Sequence, residues 1–292
     1  MMEPAFVADL RETVGPAFVR ADEEARAKYG QDGLKRGHLA ELVVIPGTTS
    51  EVAAVAEACH AARVPLVVRG GGTGYSGGSV PLHGGVLLSM ERFNRILEID
   101  EENLLAVVEP NVVTADLQAA VEAVGLFYPP DPASLKESVI GGNIAESAGG
   151  PRAFKYGTTR RYVLGLEAVL PTGEIVRTGS KAVKNVVGYD LTQLLVGSEG
   201  TLAIITQAVL RLVPKPPAQI TIRATFPSVE AASEAVTQLI RARVVPATIE
   251  LVDRASLDAV TRYLGVSLAP AGTAALLLLE VDGMAEAVAE EA

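Results

Sequence analysis

The feature that most constrains the fold is a run of glycines between two segments of β-strand character. Residues 69–78 contain six glycines, after the apolar residues 65–68 and before the apolar residues 85–89. Glycine has no Cβ, so its backbone adopts conformations closed to other residues and lets another group approach closely. The run therefore predicts a loop between strands whose backbone N–H groups are open to a ligand.

The spacing Gly72-x-Gly74-x-x-Gly77 matches the dinucleotide-binding fingerprint, but its context does not. That fingerprint requires a helix directly after the glycines, because the N-terminus of the helix holds the pyrophosphate. Here the glycines lead through residues 79–84 into another strand pattern. We therefore expect the loop backbone itself to form the anion-binding nest.

Two further segments, residues 131–150 and 197–200, combine glycine with small residues beside strand patterns. We interpret residues 128–150 as loops, and residues 163–177 as a hairpin turned by Pro171-Thr172-Gly173. A single glycine often serves only a turn or a bulge. Three such loops, each with few side chains to obstruct the backbone, indicate a common binding site.

Five motifs within these loops carry a resemblance to a known family. They are residues 68–78, 130–134, 140–143 with 148–150, 155–157 and 197–202. In order and spacing they resemble the FAD-binding motifs of the vanillyl-alcohol oxidase/p-cresol methylhydroxylase (PCMH) flavoprotein superfamily. Within it they are most similar to the glycolate oxidase catalytic subunit and to D-lactate and D-2-hydroxyglutarate dehydrogenases.

The resemblance implies FAD as the cofactor and assigns parts of it to three regions. Residues 69–77 would cradle the pyrophosphate, and residues 131–134 and 141–150 would run past the ribityl chain and the flavin ring. Glu199 and Gly200, with Ile204, would support adenine-side and flavin contacts. Relatives that bind flavin covalently have a histidine where this chain has Thr73, so non-covalent binding is implied. The implied cofactor-binding residues are Arg69, Gly70, Gly71, Gly72, Thr73, Gly74, Ser76, Gly77, Asp131, Pro132, Ser134, Gly141, Gly142, Asn143, Ala148, Gly149, Gly150, Tyr156, Gly157, Glu199, Gly200 and Ile204.

The chain is predicted to be an α+β protein with three regions. We interpret residues 1–37 as a peripheral helical lead-in. Residues 38–214 are predicted to form a two-subdomain PCMH-type FAD-binding domain. Residues 215–292 alternate between strand and helix patterns, which predicts an α/β cap domain. A last helical pattern begins at Met284, and we interpret this cap as incomplete.

Composition excludes several classes of partner. With 25 basic and 35 acidic side chains the net charge is −10, which argues against binding of nucleic acid. One cysteine, Cys59, permits no intramolecular disulfide and indicates a reducing compartment. The sequence contains no secretory signal. Its apolar runs are all much shorter than the roughly 20 residues that span a membrane. We therefore expect a cytoplasmic protein that associates with a membrane only through partners.

The resemblance implies an FAD-dependent oxidoreductase that converts a small 2-hydroxy acid, such as glycolate or D-lactate, to the 2-oxo acid by hydride transfer to flavin N5. It also implies a second flavin-type subunit and an iron–sulfur subunit as partners. No catalytic base is assigned, because the family's histidine-containing motif has no match up to Ala292. Lys155 and Tyr156 either approach the substrate or hold the structure near the cofactor.

Three alternatives remain open at this stage. One is a subunit or fragment that binds FAD but turns over only with a partner chain. Another is the related enolpyruvyl-nucleotide reductase, whose substrate-side pattern fits the motifs at 130–132 and 155–157 less well. The third concerns Glu250 and Asp253, which could form a carboxylate metal site; we favour a helix cap at Asp253 and predict no metal.

Overall fold

The computed structural model describes residues 2–35 and 37–292, which form two compact units. The first unit comprises residues up to 128, then 134–148 and 158–214. The second unit comprises residues 129–133, 149–157 and 215–292. The chain therefore enters the second unit twice before its long final segment.

The first sheet of the first unit is mainly parallel. Its strands, in spatial order, are β1 (Val19–Arg20), β2 (Leu42–Val44), β4 (Val86–Ser89) and β3 (Leu66–Arg69). Strands β2, β4 and β3 run parallel, and β1 pairs antiparallel with β2. The helices of this part are α1 (Pro4–Val14), α2 (Glu23–Tyr29) and α3 (Thr49–Ala62).

Helix α3 begins at a side-chain cap. The Thr48 hydroxyl accepts a hydrogen bond from the Glu51 N–H, and the Glu51 carboxylate accepts one from the Gly47 N–H at 2.7 Å. The first bond satisfies an N–H group that the start of a helix leaves without a partner, and the second ties Gly47, the residue before the cap, to the first turn. Cys59 is buried on the inner face of α3, and burial raises the pKa of its thiol to about 12.

The second sheet of the first unit is antiparallel. Its spatial order is β5 (Ile96–Asp100), β6 (Leu105–Val108), β10 (Ile204–Arg211), β8 (Val163–Val169) and β9 (Ile175–Gly179). Helices α4 (Thr114–Glu122), α5 (Ile140–Glu146) and α7 (Leu191–Leu195) accompany it, and β7 (Leu126–Phe127) pairs with β11 (Val213–Pro214). The hairpin expected around residue 172 is the pair β8 and β9.

The expectation that residues 128–150 form only loops is wrong. The chain forms helix α5 from Ile140, although two of its first three residues are glycines with low helix propensity. Tertiary packing explains the difference, because Ile140 and Ile144 are fully buried and a Cβ at Gly141 would lie 2.5 Å from Pro110.

Asn143 ties this helix to the rest of the unit. Its side chain is buried and donates a 2.7 Å hydrogen bond to the hydroxyl of Thr114, the first residue of α4. The same hydroxyl lies 3.0 Å from both the carbonyl and the hydroxyl oxygen of Ser138. The Thr114 hydroxyl is therefore part of this hydrogen-bond network and does not cap α4. The N-cap residue of α4 is Val113, which makes no side-chain cap hydrogen bond.

The second unit is built around a three-stranded antiparallel sheet. The order is β12 (Ala218–Phe226), β14 (Ala275–Gly283) and β13 (Thr248–Asp253). Its helices are α6 (Ala153–Tyr156), α8 (Val229–Arg241), α9 (Arg254–Leu264) and α10 (Ala285–Glu291). The core forms where Ala275, Leu277 and Leu279 of the central strand pack against Ala232 of α8.

The residues expected to form a separate lead-in share a core with the first sheet. Leu10, Val14 and Val19 are buried in the same cluster as Val44 and Val55. Strand β1 adds directly to the edge of β2. Among the helices described, none combines the length and the apolar character needed to cross a bilayer.

Replacing Asn143 with alanine is predicted to destabilise the first unit. The change leaves a buried hydroxyl at Thr114 with one partner fewer, which costs about 1–3 kcal/mol and lowers the Tm by several degrees. Thermal unfolding followed by circular dichroism measures the shift. The control is Gln238→Ala on the exposed side of α8, which should change stability by less than about 0.5 kcal/mol. Equal effects of the two substitutions would contradict a role for the buried network.

Candidate functional site

The first glycine loop turns over the side chain of Arg69. Gly72 has φ +65°, and a Cβ built on it would lie 2.2 Å from Cζ of Arg69. The Arg69 guanidinium is thus folded beneath the loop that follows it, where it donates a hydrogen bond to the Gln31 carbonyl. Burial lowers the pKa of Arg69, while the nearby Tyr29 and Asp32 act in the opposite direction.

The same loop packs backbone to backbone against the segment that precedes α5. A Cβ at Gly70 would lie 2.7 Å from a methyl group of Val139, and one at Gly71 would lie 2.7 Å from the Glu137 carbonyl oxygen. Only residues without a side chain allow this approach. Gly77, by contrast, has φ +85° and no atom within 4 Å of an added Cβ, so its conformation rather than its packing requires glycine.

The third loop joins the first two at the end of α5. The Gly197 N–H donates to the Ile144 carbonyl and the Glu199 N–H donates to the Ala145 carbonyl, both at 2.9 Å. Two glycine-rich regions, residues 69–78 and 197–200, therefore contact α5 and the residues just before it, which belong to the remaining glycine-rich region.

Two carboxylates stand at the rim of the first loop. Glu146 accepts a hydrogen bond from the Ser76 hydroxyl at 3.1 Å, and its carboxylate would lie 2.7 Å from a Cβ at Gly74. The carboxylate of Glu199 would lie 3.3 Å from a Cβ at Gly78. Such groups accept hydrogen bonds only, so they suit hydroxyl donors of a ligand, while backbone N–H groups suit its anionic oxygens.

A second group of predicted residues belongs to the second unit, around Asp131. A Cβ at Gly150 would lie 2.2 Å from the Asp131 carbonyl oxygen, which fixes glycine there. The Asp131 carboxylate accepts from the Arg152 N–H at 3.1 Å and lies 3.5 Å from Nε of the same arginine. Burial raises the pKa of Asp131 to about 6, with Arg152 acting against the shift and Glu280 adding to it.

Lys155 and Tyr156 both bind Asp282, a residue that sequence analysis missed. The Lys155 ammonium donates to the Asp282 carbonyl at 2.6 Å and to its carboxylate, and the Tyr156 hydroxyl donates to the same carboxylate at 2.6 Å. Asp282 is only 7% exposed. In the sequence, Asp282 is recognisable only as an acidic residue at the end of the most apolar strand pattern. An acidic residue there is equally typical of a turn.

The predicted cofactor residues therefore fall into two sets. In the first unit are Arg69, Gly70, Gly71, Gly72, Thr73, Gly74, Ser76, Gly77, Ser134, Gly141, Gly142, Asn143, Ala148, Glu199, Gly200 and Ile204. In the second unit are Asp131, Pro132, Gly149, Gly150, Tyr156 and Gly157.

Two members of the first set are used inside the fold. Asn143 holds α5 to α4 through its buried amide, and Ile204 is packed in the core that β2, β4 and α3 share. Their side chains are therefore committed to structure.

The favoured interpretation of Asp253 is confirmed. Its side chain accepts from the Ser256 N–H at 2.8 Å and caps α9. In the part of the chain that the structure describes, no cluster of three or more His, Cys, Asp or Glu side chains could hold a metal ion.

The first loop fits the diphosphate of a dinucleotide cofactor by its own geometry. Its backbone approaches neighbours so closely at Gly70, Gly71 and Gly72 that side chains are excluded, it is open at Gly77, and it holds a half-buried cation at Arg69. These are the properties of an anion-binding nest.

Comparison with known proteins identifies the two parts of the chain. Residues 40–179 match the family model described as FAD binding domain, and residues 215–292 match that of the FAD linked oxidases, C-terminal domain. The glycolate oxidase subunit GlcD of Bacillus subtilis (strain 168) is 46% identical over 280 residues, which are 96% of this chain and 59% of that protein. The D-lactate dehydrogenase of Anaerostipes hadrus is 38% identical over 295 residues, 99% of this chain and 62% of that protein.

Solved structures show the same fold. An alkyldihydroxyacetonephosphate synthase aligns with a TM-score of 0.84 at 24% identity, over 100% of this chain and 58% of its own. A p-cresol methylhydroxylase with substrate bound aligns with a TM-score of 0.79 at 21% identity, over 98% of this chain and 62% of its own. The chain thus spans about three-fifths of the length of the relatives it matches. It therefore contains an FAD-binding domain with the PCMH-type fold, followed by the C-terminal domain of the FAD-linked oxidases, and FAD is its cofactor.

Proposed function

We propose that this chain is the flavin-binding part of an oxidoreductase that oxidises a small 2-hydroxy acid, such as glycolate or D-lactate, to the 2-oxo acid. The observation that carries the proposal is the contact of two glycine-rich loops, residues 69–78 and 197–200, with α5 and the residues before it, together with the half-buried Arg69 beneath the first loop. The substrate class is supported by relatives named glycolate oxidase subunit and D-lactate dehydrogenase, at 46% and 38% identity.

Within this proposal the first unit holds the dinucleotide. Backbone N–H groups of residues 70–77 bind the diphosphate oxygens, and the Arg69 charge lies behind them. Glu146 and Glu199 offer acceptors for ligand hydroxyl groups beside the loop. Residues 70–77 would hold FAD, which would supply the acceptor for the hydride of the substrate carbon that carries the hydroxyl group. Non-covalent binding is part of the proposal, since Thr73 has no nucleophilic imidazole to offer.

Lys155 and Tyr156 are proposed to position their segment rather than to bind substrate. The ammonium and the phenol both donate to Asp282, so their hydrogen-bonding groups are already engaged inside the second unit. A cation that binds the substrate carboxylate and a base that takes the hydroxyl proton remain unassigned among the residues of this chain. For that reason the second candidate is an FAD-binding chain that is active only with a partner.

We also propose the partners and the location that the resemblance implies. A second flavin-type subunit and an iron–sulfur subunit would accept electrons, consistent with a relative named as a subunit of glycolate oxidase. A reducing, cytoplasmic location agrees with the free, buried Cys59.

The first prediction from this proposal concerns flavin binding and reduction. Protein incubated with FAD and desalted should retain a flavin absorption spectrum, and acid precipitation should move all of the yellow colour to the supernatant. Anaerobic addition of glycolate or D-lactate should then bleach the bound flavin. Retained flavin without bleaching would favour the chain that needs a partner, and colour in the acid pellet would refute non-covalent binding.

Replacing Gly72 with valine should abolish FAD retention. The new side chain meets the Arg69 guanidinium and cannot adopt φ +65° without strain, so the turn must move. Gly272→Val is the matched control, because Gly272 has φ +86° but open space around an added Cβ and lies in the second unit. We expect the control to retain stoichiometric FAD after desalting. Stoichiometric FAD in the Gly72 variant would refute the nest.

The raised pKa of Asp131 predicts a specific pH dependence of stability. Its ordinary value is 3.8 and burial raises it to about 6, so the folded state binds the proton more tightly than the unfolded state. The contribution of Asp131 to stability is therefore greatest below pH 4 and is lost as pH rises to about 6. The variant Asp131→Asn lacks this loss, so its Tm relative to the natural protein should rise between pH 4 and pH 7. A constant difference in Tm across that range would contradict the shift.

A further inference from the structure

We propose that residues 30–35, which lie in the N-terminal region, complete the diphosphate-binding loop, with Asp32 and Gly33 as positioning residues. This inference rests on the proposed function, because it assigns the anionic ligand of the loop to the diphosphate of FAD. It also changes the role of this region, which the sequence pattern described only as a peripheral lead-in.

The first contact is between two backbones. The Gly33 N–H donates a 3.0 Å hydrogen bond to the Gly74 carbonyl, and a Cβ at Gly33 would lie 2.5 Å from the Thr73 carbonyl oxygen. Residue 33 must therefore be glycine for the two segments to lie this close. The contact holds residues 73–74 from outside the glycine loop itself.

The second contact is with the half-buried guanidinium of Arg69. Arg69 donates to the Gln31 carbonyl, and the carboxylate of Asp32 acts on Arg69 electrostatically, in the direction that favours its charged form. Asp32 is only 4% exposed, and its carboxylate also accepts from the Leu34 N–H at 2.9 Å. A guanidinium removed from water needs such a countercharge and acceptor, because burial disfavours its charge.

These two contacts fix a positive charge at one place. The guanidinium lies directly beneath Gly72, so it cannot swing away to solvent without breaking its bond to Gln31. A charge held there attracts a diphosphate that binds to the N–H groups of the turn above it. Asp32 acts through Arg69 and does not itself contact the ligand in this arrangement.

The test is the variant Asp32→Asn, which keeps the shape of the side chain and removes its charge. We expect its Kd for FAD, measured by quenching of flavin fluorescence, to rise about tenfold, the effect of weakening one charge-assisted interaction. At saturating FAD, the ³¹P resonances of the bound diphosphate should shift while the visible absorption maxima of the flavin ring stay in place. A role in stability alone would lower the Tm without moving the ³¹P resonances.

Two further variants serve as controls for the effect of Asp32→Asn. Asp32→Glu retains the charge and should keep the Kd within about threefold of the natural protein, a change of roughly 0.6 kcal/mol. Asp9→Asn, on the exposed side of α1, removes the same charge elsewhere in the first unit and should change neither readout. If Asp32→Asn fails to fold, the variant Arg69→Lys is tested instead. Lysine keeps the positive charge but lacks the guanidinium group that donates to the Gln31 carbonyl. We expect the same rise in the Kd for FAD and the same shift of the ³¹P resonances.

The outcomes separate the inference from the proposed function. If the natural protein binds FAD and Asp32→Asn leaves both the Kd and the ³¹P resonances unchanged, the inference is overturned and the proposed function stands. If the natural protein does not bind FAD at all, the proposed site fails and the inference falls with it.

Discussion

A half-buried guanidinium held beneath a left-handed turn of backbone is the constraint on which the cofactor loop depends. Arg69 ends strand β3, and the chain then passes over its side chain at Gly72 with no room for a Cβ. The strand, the turn and the cation are thus one continuous piece of structure. Any shift of β3 within its parallel sheet would move the charge and the N–H groups of the turn together.

Local signals in the sequence were sufficient for most of the regular structure. Thr48 and Glu51 stand three positions apart before an apolar spacing typical of a helix, as observed in α3, and Ser228 and Asp253 begin α8 and α9 as side-chain caps. Each of these features involves residues only three or four positions apart. The strands adjoining the glycine run were equally clear, and the absence of a helix after that run correctly excluded a Rossmann turn, since β4 follows.

The features that the sequence did not reveal all depend on contacts between distant residues. Helix α5 forms despite its glycines because Ile140 and Ile144 find a core. Lys155 and Tyr156 were recognised as a motif, but their partner Asp282 lies more than 120 positions away. Local propensity cannot report such pairings, and here tertiary packing overrides it. The glycine loops could be predicted because what they require, a backbone without side chains, is visible in the sequence as glycine.

The interleaved course of the chain has a consequence for how the molecule is made. The matched C-terminal domain begins at residue 215, but the second unit also contains residues 129–133 and 149–157. During synthesis these two short segments leave the ribosome long before β14, at about 5–20 residues per second. The hydrogen bonds from Lys155 and Tyr156 to Asp282 can therefore form only after residue 282 has been synthesised. Cutting the gene at the family boundary would separate a carboxylate from both of its partners.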